Sequence, residues 1–599
     1  MKKHFSIITI LIFFTSCTIL LAQSVSLLQN VDNRTALLLD GQWQTIVDPL
    51  ENGYYNYRYQ PLENGYFKNQ KMTSPSDLIE YDFDTDTSLD VPGDWNTQAE
   101  RLYYYEGTVW YKKSFNWQPS MDKRYFLHFG AAHYQAKVYV NGNYVGAHEG
   151  GYTPFQFDVT EQLIAGKNFV VVKVDNKRFR EAVPTVNTDW WNYGGLTRSV
   201  RLVTVPRQYI QDYFIQLDPE NPNTITGWIQ LTPSTSEQEV EIQIPELNKQ
   251  IKLQTNLQGK ASFSFPASPE LWTPEQPKRY AIIIASATDQ IRDRIGFRTV
   301  ETHGHQIFLN GKPLFLKGIS IHEEAPYRTG RATNTKDSQT LLKWAKELGC
   351  NYIRLAHYPH NQSMVEEAEK MGLLIWSEIP VYWTVLFDNP DTYRNAENQL
   401  EEMISRDKNR AAVILWSVAN ETPVSEARTR FLRKLVAKAR SLDRTRLITA
   451  ALETHNSEKG FRMIDDPLGA DVDVIGINYY CGWYTGTPKS CGNISWKTNY
   501  NKPVVMSEFG GGALQGYHGP PEQRWTEEYQ DVVYKNNIKM LKKIPFLAGT
   551  SPWILMDFRS ARRHLKTIQM DFNRKGLISE KGIKKQAFYT LQRFYTDLE

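Results

Sequence analysis

Eight short apolar segments recur through the second half of the chain, and amphipathic helical patterns such as 341–348 and 364–371 separate most of them. Strands that are buried on both faces read as continuous apolar runs, and their alternation with helices is typical of a parallel sheet. Eight such units in about 295 residues predict a (β/α)8 TIM barrel. The predicted strands are 313–320, 352–356, 373–378, 413–419, 447–452, 474–479, 504–508 and 547–555.

A doubly wound open sheet is the competing architecture for the same alternation of strands and helices. Sheets of that kind that bind nucleotides carry a glycine-rich loop after a strand. Neither G-x-G-x-x-G after a strand nor G-x-x-x-x-G-K-[ST] occurs in this sequence, which disfavours nucleotide binding by such loops. The count of eight strand–helix units makes the barrel the favoured architecture.

The first half of the chain has short alternating segments, frequent turn signals and almost no helical periodicity. The segment 136–140 precedes Asn141-Gly142, a dipeptide that is typical of tight hairpins. This pattern predicts β-sandwiches, and the stretch 225–300 has about the size of an immunoglobulin domain. We therefore expect a multidomain protein, with an export signal at 1–22, a β-sandwich at 23–205, an immunoglobulin-like β-sandwich at 206–300 and the barrel at 301–599.

The amino terminus has the pattern of an export signal. Two lysines follow Met1, and residues 5–22 form an apolar run without an acidic residue. Cleavage after Ala22 is one prediction. The alternative is lipidation of Cys17, because the residues before it resemble a bacterial lipobox. No later apolar run reaches the length that spans a bilayer, so we expect an exported periplasmic, secreted or surface-attached protein without a membrane span.

Charge and cysteine content exclude several classes of protein. The 69 Lys and Arg residues nearly balance 66 Asp and Glu residues, so no bulk positive field attracts nucleic acid or an anionic membrane. After removal of the signal, three cysteines remain, namely Cys350, Cys481 and Cys491. An odd number argues against a disulfide framework, and whether Cys481 pairs with Cys491 is left open.

Two predicted strands end in a carboxylate. The fourth strand leads into Asn420-Glu421, and the seventh ends at Glu508. The carboxyl ends of all strands meet at one face of a TIM barrel, where its active sites lie. Strands four and seven lie across that face from each other, so their carboxylates can flank a substrate. Glycoside hydrolysis requires such a pair, one a protonated acid and the other an anion.

The other predicted strands also end in polar or aromatic residues, which we expect to line the barrel mouth. These include His322, Arg354, His357, Glu378, Asn478, Tyr480 and Trp553. A hydrolytic metal site built on His322, His357 and His360 is a rival hypothesis, but neither H-x-H on the first strand nor H-E-x-x-H is present. We therefore expect neither a metal nor another cofactor.

The motifs around the two carboxylates resemble those of glycoside hydrolase family 2. Residues 416–421 read Trp-Ser-Val-Ala-Asn-Glu, and residues 506–510 read Met-Ser-Glu-Phe-Gly. Further resemblance at 109–113, 138–142, 189–196, 318–323 and 353–359 extends it over nearly the whole mature chain. It implies that the first sandwich is a sugar-binding-like jelly roll, and that the loop at 189–196 reaches toward the active site.

The resemblance also assigns roles. It implies a retaining mechanism in which Glu421 is the general acid/base and Glu508 is the nucleophile. Tyr480 would donate a hydrogen bond to Glu508, and Asn420 would bind the 2-hydroxyl of the sugar. We expect the two carboxyl groups to lie about 5–5.5 Å apart, as in retaining enzymes. In inverting enzymes the two groups lie further apart to make room for a water molecule, and no covalent intermediate forms.

Residues 573–576 read Asn-Arg-Lys-Gly and resemble the N-x-K motif of the β-glucuronidases in this family. There, Asn573 and Lys575 would bind the carboxylate of a terminal uronic acid, which needs a paired charge once it is desolvated. Asp189 and Tyr484 match substrate-contacting positions of the same subgroup. The basic loop with Arg559, Arg562 and Arg563 departs from it, and such arginines could read a second acidic or sulfated unit of a polysaccharide.

The sequence therefore predicts an exo-acting β-glucuronidase that acts on a carbohydrate with a terminal uronic acid. The alternatives are a β-galactosidase or β-galacturonidase of the same family and, more remotely, a non-catalytic carbohydrate-binding protein. Assembly into a homo-oligomer and the identity of the group released from the sugar are left open.

Overall fold

A computed structural model describes residues 27–62, 65, 72–84 and 87–598 of the protein. The predicted export signal and Cys17 lie outside these residues, so that part of the sequence analysis stays a prediction. Among the residues described, no helix has both the length and the apolar character needed to cross a membrane.

The first part of the structure is a sandwich of two antiparallel sheets. One sheet has the order β1-β10-β5-β8, the other the order β3-β2-β4-β9-β6-β7, and their facing side chains form one core. The predicted hairpin at Asn141-Gly142 joins β6 to β7. The strands are β1 (Ala36–Leu38), β2 (Gly41–Asp48), β3 (Ser88–Val91), β4 (Thr108–Trp117), β5 (Lys123–Phe129), β6 (Gln135–Val140), β7 (Asn143–Glu149), β8 (Phe155–Asp158), β9 (Gly166–Asp175) and β10 (Val200–Pro206).

A second, smaller sandwich follows, with sheets of the orders β11-β12-β15 and β14-β13-β16-β17. In β15 the side chains of Ala261, Phe263 and Phe265 point into the core while the residues between them are exposed, as a strand with one solvated face requires. Its strands are β11 (Ile210–Leu217), β12 (Thr224–Leu231), β13 (Glu239–Ile244), β14 (Lys249–Gln254), β15 (Lys260–Pro266), β16 (Tyr280–Ser286) and β17 (Gln290–Ile295).

The remaining residues form a closed parallel barrel of eight strands in the order β21-β22-β23-β24-β25-β28-β30-β31, and small sheets lie before it and among its loops. The strands of this part are β18 (Val300–His303), β19 (Gln306–Leu309), β20 (Lys312–Leu314), β21 (Leu316–Ile321), β22 (Tyr352–Leu355), β23 (Leu374–Glu378), β24 (Val413–Asn420), β25 (Leu447–Leu452), β26 (His455–Asn456), β27 (Phe461–Ile464), β28 (Val474–Asn478), β29 (Ser495–Thr498), β30 (Val504–Glu508), β31 (Leu547–Thr550), β32 (Phe558–Arg559) and β33 (Phe572–Asn573).

The described residues also contain six α-helices, which pack around the barrel. Most begin at a residue whose side chain accepts a hydrogen bond from the first turn, as Ser425 does from the N–H of Arg428 and Thr526 does from that of Tyr529. The helices are α1 (Thr335–Glu347), α2 (Gln362–Met371), α3 (Pro390–Asp407), α4 (Glu426–Leu442), α5 (Glu527–Leu541) and α6 (Gln586–Thr596).

All eight predicted barrel strands are confirmed, and the differences lie at their ends. The first strand begins at Leu316, because residues Lys312–Leu314 pair with β19 instead of the barrel. The eighth ends at Thr550 rather than at residue 555, although the chain stays apolar up to Leu555. The residues between Thr550 and Leu555 form a loop that is buried at the barrel mouth. Because the loop is buried, its sequence is apolar like that of a buried strand.

Long-range contacts fix the first sandwich against the barrel. Arg198 lies in the loop between β9 and β10, and its guanidinium Nη2 lies 3.2 Å from Oε2 of Glu323 in the barrel. Both side chains are buried, and Glu323 also pairs with Arg331. Burial alone would raise the pKa of Glu323, but the two arginines lower it to about 2. The loop between β9 and β10 is thereby held over the carboxyl ends of the barrel strands.

Cys481 and Cys491 form a disulfide, which resolves the pairing that the sequence left open. The loop that they close follows β28 and includes Tyr484. Cys350 is a buried free thiol.

A buried ion pair supports the wall of the barrel beside Glu421. Arg428 on α4 donates both Nη1 and Nη2 to Asp466, each at 2.7 Å, and neither side chain is exposed. Asp466→Ala would leave a buried guanidinium without a counter-charge, so we expect it to lower the free energy of unfolding by about 3–5 kcal/mol. Chemical denaturation followed by circular dichroism measures this loss.

Asp471→Ala is the matched control, because Asp471 lies close by in sequence and pairs with Arg433 of the same helix at 2.8 Å. That pair is partly exposed, with side-chain exposures of 29% and 51%. Its loss is expected to cost less than about 1 kcal/mol. Equal losses for the two variants would contradict the importance given to the buried pair.

Candidate active site at the barrel mouth

Glu421 and Glu508 both lie at the carboxyl end of the barrel. Glu508 is the last residue of β30, and Glu421 follows β24 directly. At Glu421 the backbone enters the left-handed region, with φ of 49°, which is uncommon for a non-glycine residue. Its N–H donates to the carbonyl of Ala451 at 3.0 Å, so the turn off the strand is fixed by the neighbouring strand β25.

The carboxylate of Glu508 is surrounded by hydrogen-bond donors. Nη1 of Arg354 lies 2.8 Å from its Oε1, and the hydroxyl of Tyr480 donates to its Oε2 at 2.6 Å. His357 Nε2 lies 3.8 Å from Oε1. Both carboxylate oxygens of Glu508 therefore accept hydrogen bonds from neighbouring side chains, which hold the group in place. The predicted contact between Tyr480 and Glu508 is thus present in the structure.

Arg354 is the fully buried centre of this arrangement. Besides Glu508, it contacts both carboxylate oxygens of Glu378 at 3.0 and 3.1 Å and the side-chain oxygen of Asn420 at 2.8 Å. Burial raises the pKa of Glu378, but Arg354 and His357 lower it to about 2. Glu378 therefore stays ionised and positions Arg354, which also stabilises the carboxylate of Glu508.

Glu421 has the opposite environment. Burial raises its pKa to about 7, and the like charge of Glu508 acts in the same direction. The indole Nε1 of Trp383 donates to its Oε2 at 2.9 Å, and this bond and the one to Asn478 lower the pKa only in part. The two carboxyl groups therefore differ in the way that an acid and a nucleophile must differ.

Asn420 has an amide donor that no described residue uses. Its side-chain oxygen accepts from Arg354 at 2.8 Å and from the amide of Asn478 at 3.1 Å, which fixes the orientation of the amide group. Its buried Nδ2 has no hydrogen-bond partner among the described residues. A buried donor without a partner is costly, and a substrate hydroxyl would satisfy it, which fits the predicted contact with the 2-hydroxyl.

Aromatic rings form one wall of the mouth. Trp553 stacks on His357 with ring centres 4.7 Å apart, and Trp190, from the loop of the first sandwich, lies 5.7 Å from the same histidine. His322 packs 5.8 Å from Trp190, and burial lowers the pKa of His322 well below its usual value, so its ring is neutral. Its buried Nε2 has no described hydrogen-bond partner, and its contact with a sugar hydroxyl stays a prediction.

The N-x-K motif lies at the other side of the mouth. Lys575 is 4% exposed, and its Nζ donates to the hydroxyl of Tyr484 at 2.7 Å. Its charge also lies 4.8 Å from the centre of the Tyr484 ring and 5.4 Å from that of Tyr480. None of the described carboxylates forms an ion pair with Lys575. The buried ammonium group of Lys575 thus has no direct counter-charge. It lies beside the ring of Tyr480, whose hydroxyl contacts Glu508.

Asp189 lies near Lys575 but is already bound. It accepts from Arg563 Nε at 2.9 Å, from Ser560 at 2.6 Å and from the amide of Asn573 at 3.1 Å. Burial raises the pKa of Asp189, but Arg563 outweighs that effect, so the pKa lies below its ordinary value. Asp189 therefore orients Asn573 and Arg563, and its contact with substrate stays a prediction.

The structure adds residues that the sequence analysis did not assign. Arg354 lies within the second predicted strand and Glu378 ends the third, and their place near the barrel mouth is the available signal. Trp383, which contacts Glu421, lies in the loop after β23, and no local pattern marks it. Arg563 belongs to the basic loop that could read a second acidic unit, and its pairing with Asp189 is not marked by any sequence pattern.

The histidines of the rival metal hypothesis have other partners. His357 Nδ1 lies 2.8 Å from Glu378, and His360 Nε2 lies 3.0 Å from the carbonyl of Ala356. Across the described ranges, no group of three or more His, Cys, Asp or Glu side chains is arranged to hold a metal ion.

Family models match all three parts of the chain. Residues 38–206 match the sugar binding domain of glycosyl hydrolases family 2, residues 208–298 match a further model of glycosyl hydrolases family 2, and residues 300–599 match its TIM barrel domain.

Individual proteins resemble the chain over most of its length. A β-glucuronidase of Mus musculus is 29% identical over 97% of this chain and 93% of its own. One from Paenibacillus borealis is 27% identical over 83% of this chain and 90% of its own. The solved structure of Bifidobacterium dentium β-glucuronidase complexed with coumarin-3-O-glucuronide has a TM-score of 0.81 at 26% identity and covers 96% of this chain and 98% of its own.

The environment of Glu421 predicts a pH dependence. A general acid must carry its proton, and with a pKa of about 7 Glu421 loses it as the pH rises through neutrality. If this pair hydrolyses β-glycosides, kcat/KM is expected to fall above about pH 7. Trp383→Phe removes a hydrogen bond that favours the anion, so the decline should move to higher pH. A decline that stays in place in that variant would contradict the role given to the indole.

Proposed function

The chain belongs to glycoside hydrolase family 2, and we propose that it is a retaining β-glucuronidase that removes terminal β-D-glucuronate from carbohydrates or conjugates. The proposal rests on two features of the barrel mouth, the carboxyl pair of Glu421 and Glu508 and the buried charge of Lys575. The names of the relatives and the glucuronide bound in the Bifidobacterium dentium enzyme support it.

The first step of the reaction forms a glycosyl ester. The carboxylate of Glu508 attacks the anomeric carbon while Glu421 gives its proton to the glycosidic oxygen, so the bond between carbon and oxygen breaks and the leaving group departs as an alcohol. Arg354 and Tyr480 hold the attacking carboxylate in place. The free amide donor of Asn420 is expected to bind the 2-hydroxyl, a contact that strengthens as charge develops in the transition state.

The second step releases the sugar. Glu421, now an anion, takes a proton from water, and the resulting nucleophile attacks the anomeric carbon of the ester. The bond to Glu508 breaks, its carboxylate is restored, and Glu421 is again protonated. Two inversions at one carbon leave the configuration unchanged. The charge of Glu508 is lost in the ester, which lowers the pKa of Glu421 and suits it to act as a base in this step.

Lys575 is the single observation that carries the choice of sugar. A buried ammonium without a direct counter-charge is unfavourable, and the carboxylate of a uronic acid would pair with it. Asn573 offers its second amide hydrogen, and the exposed Tyr484 hydroxyl can donate because it accepts its bond from Lys575. A neutral galactoside would leave Lys575 unpaired in the complex, so the geometry disfavours the β-galactosidase alternative.

Two alternatives remain to be separated by assay. A β-galacturonide carries the same carboxylate and differs from a glucuronide only in the configuration at carbon 4, so Lys575 alone does not distinguish the two. A protein that only binds carbohydrate would not need carboxyl groups in contrasting environments, and turnover of any of these substrates would exclude it.

A substrate panel tests the uronate pocket. We expect Lys575→Ala to lower kcat/KM for 4-nitrophenyl β-glucuronide by at least about tenfold, the loss typical of a charge-assisted hydrogen bond. Hydrolysis of the matched β-glucoside should change by less than about threefold. The control is Lys581→Ala, which alters an exposed lysine outside the pocket.

Equal losses of Lys575→Ala on the charged and the neutral substrate would show that Lys575 does not pair with the uronate. A wild-type protein that hydrolyses the β-galactoside or the β-galacturonide tenfold faster than the β-glucuronide would overturn the choice of sugar.

The nucleophile is tested by removal of its charge. Glu508→Gln keeps the shape of the side chain but not its nucleophilicity, so kcat should fall by several orders of magnitude with the circular dichroism spectrum unchanged. Glu458→Gln is the control, because Glu458 is exposed on the turn between β26 and β27 and is not assigned to the reaction. It should keep kcat within about threefold, and a similar rate for the two variants would remove Glu508 from its role.

A further inference from the structure

Arg562 lies on the loop between β32 and β33, at the edge of the barrel mouth. Its guanidinium carbon lies 4.7 Å from the centre of the Trp383 ring, and Nη1 donates to the side-chain oxygen of Asn187 at 3.0 Å. Asn187 belongs to the loop of the first sandwich that also carries Asp189 and Trp190. The guanidinium is therefore held in a defined place although the side chain is exposed.

Trp383 connects Arg562 to the general acid. Its indole Nε1 donates to Glu421 at 2.9 Å, and its backbone N–H donates to the carbonyl of Asn420 at 3.0 Å. Glu421 protonates the oxygen of the departing group, so that group must lie on the side of the mouth where Glu421 and Trp383 meet. A charge held on Trp383 consequently faces the part of the substrate that is released, not the uronate.

Arg562 differs from the other basic groups of its loop. Arg563 is paired with Asp189, His564 with Asp571, and the buried Arg559 lies 4.8 Å from the ring centre of Tyr103. No described carboxylate forms an ion pair with Arg562, and the one described hydrogen-bond partner of its guanidinium is a neutral amide. Most of its five N–H donors are thus free, in a planar group that suits sulfate or carboxylate oxygens.

We propose that Arg562, positioned by Trp383 and Asn187, binds an anionic group on the sugar that the enzyme releases. The preferred substrate would then be a glucuronide of a sulfated or carboxylated sugar. This inference rests on the proposed function and adds the chemistry of the second unit to it. The site is separate from the uronate pocket, because Arg562 contacts neither Lys575 nor Tyr484, the two residues that contact each other in that pocket.

Disaccharides that differ only in the released sugar test this site. Glucuronate linked β to a neutral hexose is compared with the same disaccharide carrying a 6-sulfate and with one carrying a 6-carboxylate. For wild type we expect kcat/KM to be about tenfold higher on at least one charged substrate, a preference that 0.5 M salt should reduce. Comparison of the sulfated with the carboxylated disaccharide identifies the anionic group that Arg562 binds.

In Arg562→Ala the ratio of charged to neutral kcat/KM is expected to fall by about tenfold, and Arg562→Lys should restore part of it, because it keeps the charge but loses the planar donors. The control is Lys566→Ala, which removes an exposed cation from the same loop and should keep the wild-type ratio.

Absence of a preference in wild type, or a preference that survives in Arg562→Ala, would overturn the inference. The inference would also be overturned if Arg562→Ala lowered kcat/KM equally on all three disaccharides and shifted the pH dependence. Arg562 would then act only by holding Trp383 against Glu421. Failure to hydrolyse even 4-nitrophenyl β-glucuronide would instead mean that the proposed function is wrong, so the two failures are distinguishable.

Discussion

The guanidinium of Arg354 is the group on which the rest of the site depends. It is buried near the end of β22, where a cation is stable because Glu378 and Glu508 supply counter-charges. From that position it reaches both Glu508 and the side-chain oxygen of Asn420, so it fixes the carboxylate of Glu508 and the orientation of the Asn420 amide. One buried charge therefore sets the direction of two functional groups on different strands.

The contrast between Glu421 and Glu508 follows from what each strand end meets. Glu508 meets Arg354 and a tyrosine hydroxyl, whereas Glu421 meets an indole and an amide, which are weaker partners for a negative charge. Because the two groups interact electrostatically, the anion of Glu508 helps to keep the proton on Glu421. The barrel thus needs no metal ligand set at this place to separate an acid from a nucleophile.

How far the sequence predicts this protein depends on the range of the interactions involved. The barrel strands and the positions of Glu421 and Glu508 could be predicted, because apolar runs and the residues that end them are local features. The contact of Trp383 with Glu421, and that of Asp189 with Arg563, join residues 38 and 374 positions apart, and no periodicity reports them. Lys575 was found only through a short motif, and its missing counter-charge became visible only in three dimensions.

The loop of the first sandwich that carries Asn187, Asp189 and Trp190 makes this domain part of the candidate active site, although Glu421 and Glu508 lie in the barrel. A change confined to the sandwich can therefore alter which substrates are accepted while the chemistry stays intact. Substrate selectivity and the chemistry of the reaction are thus encoded in part by different segments of the gene. Exchange of the amino-terminal domain between relatives is therefore a route to new selectivity, in evolution and in protein engineering.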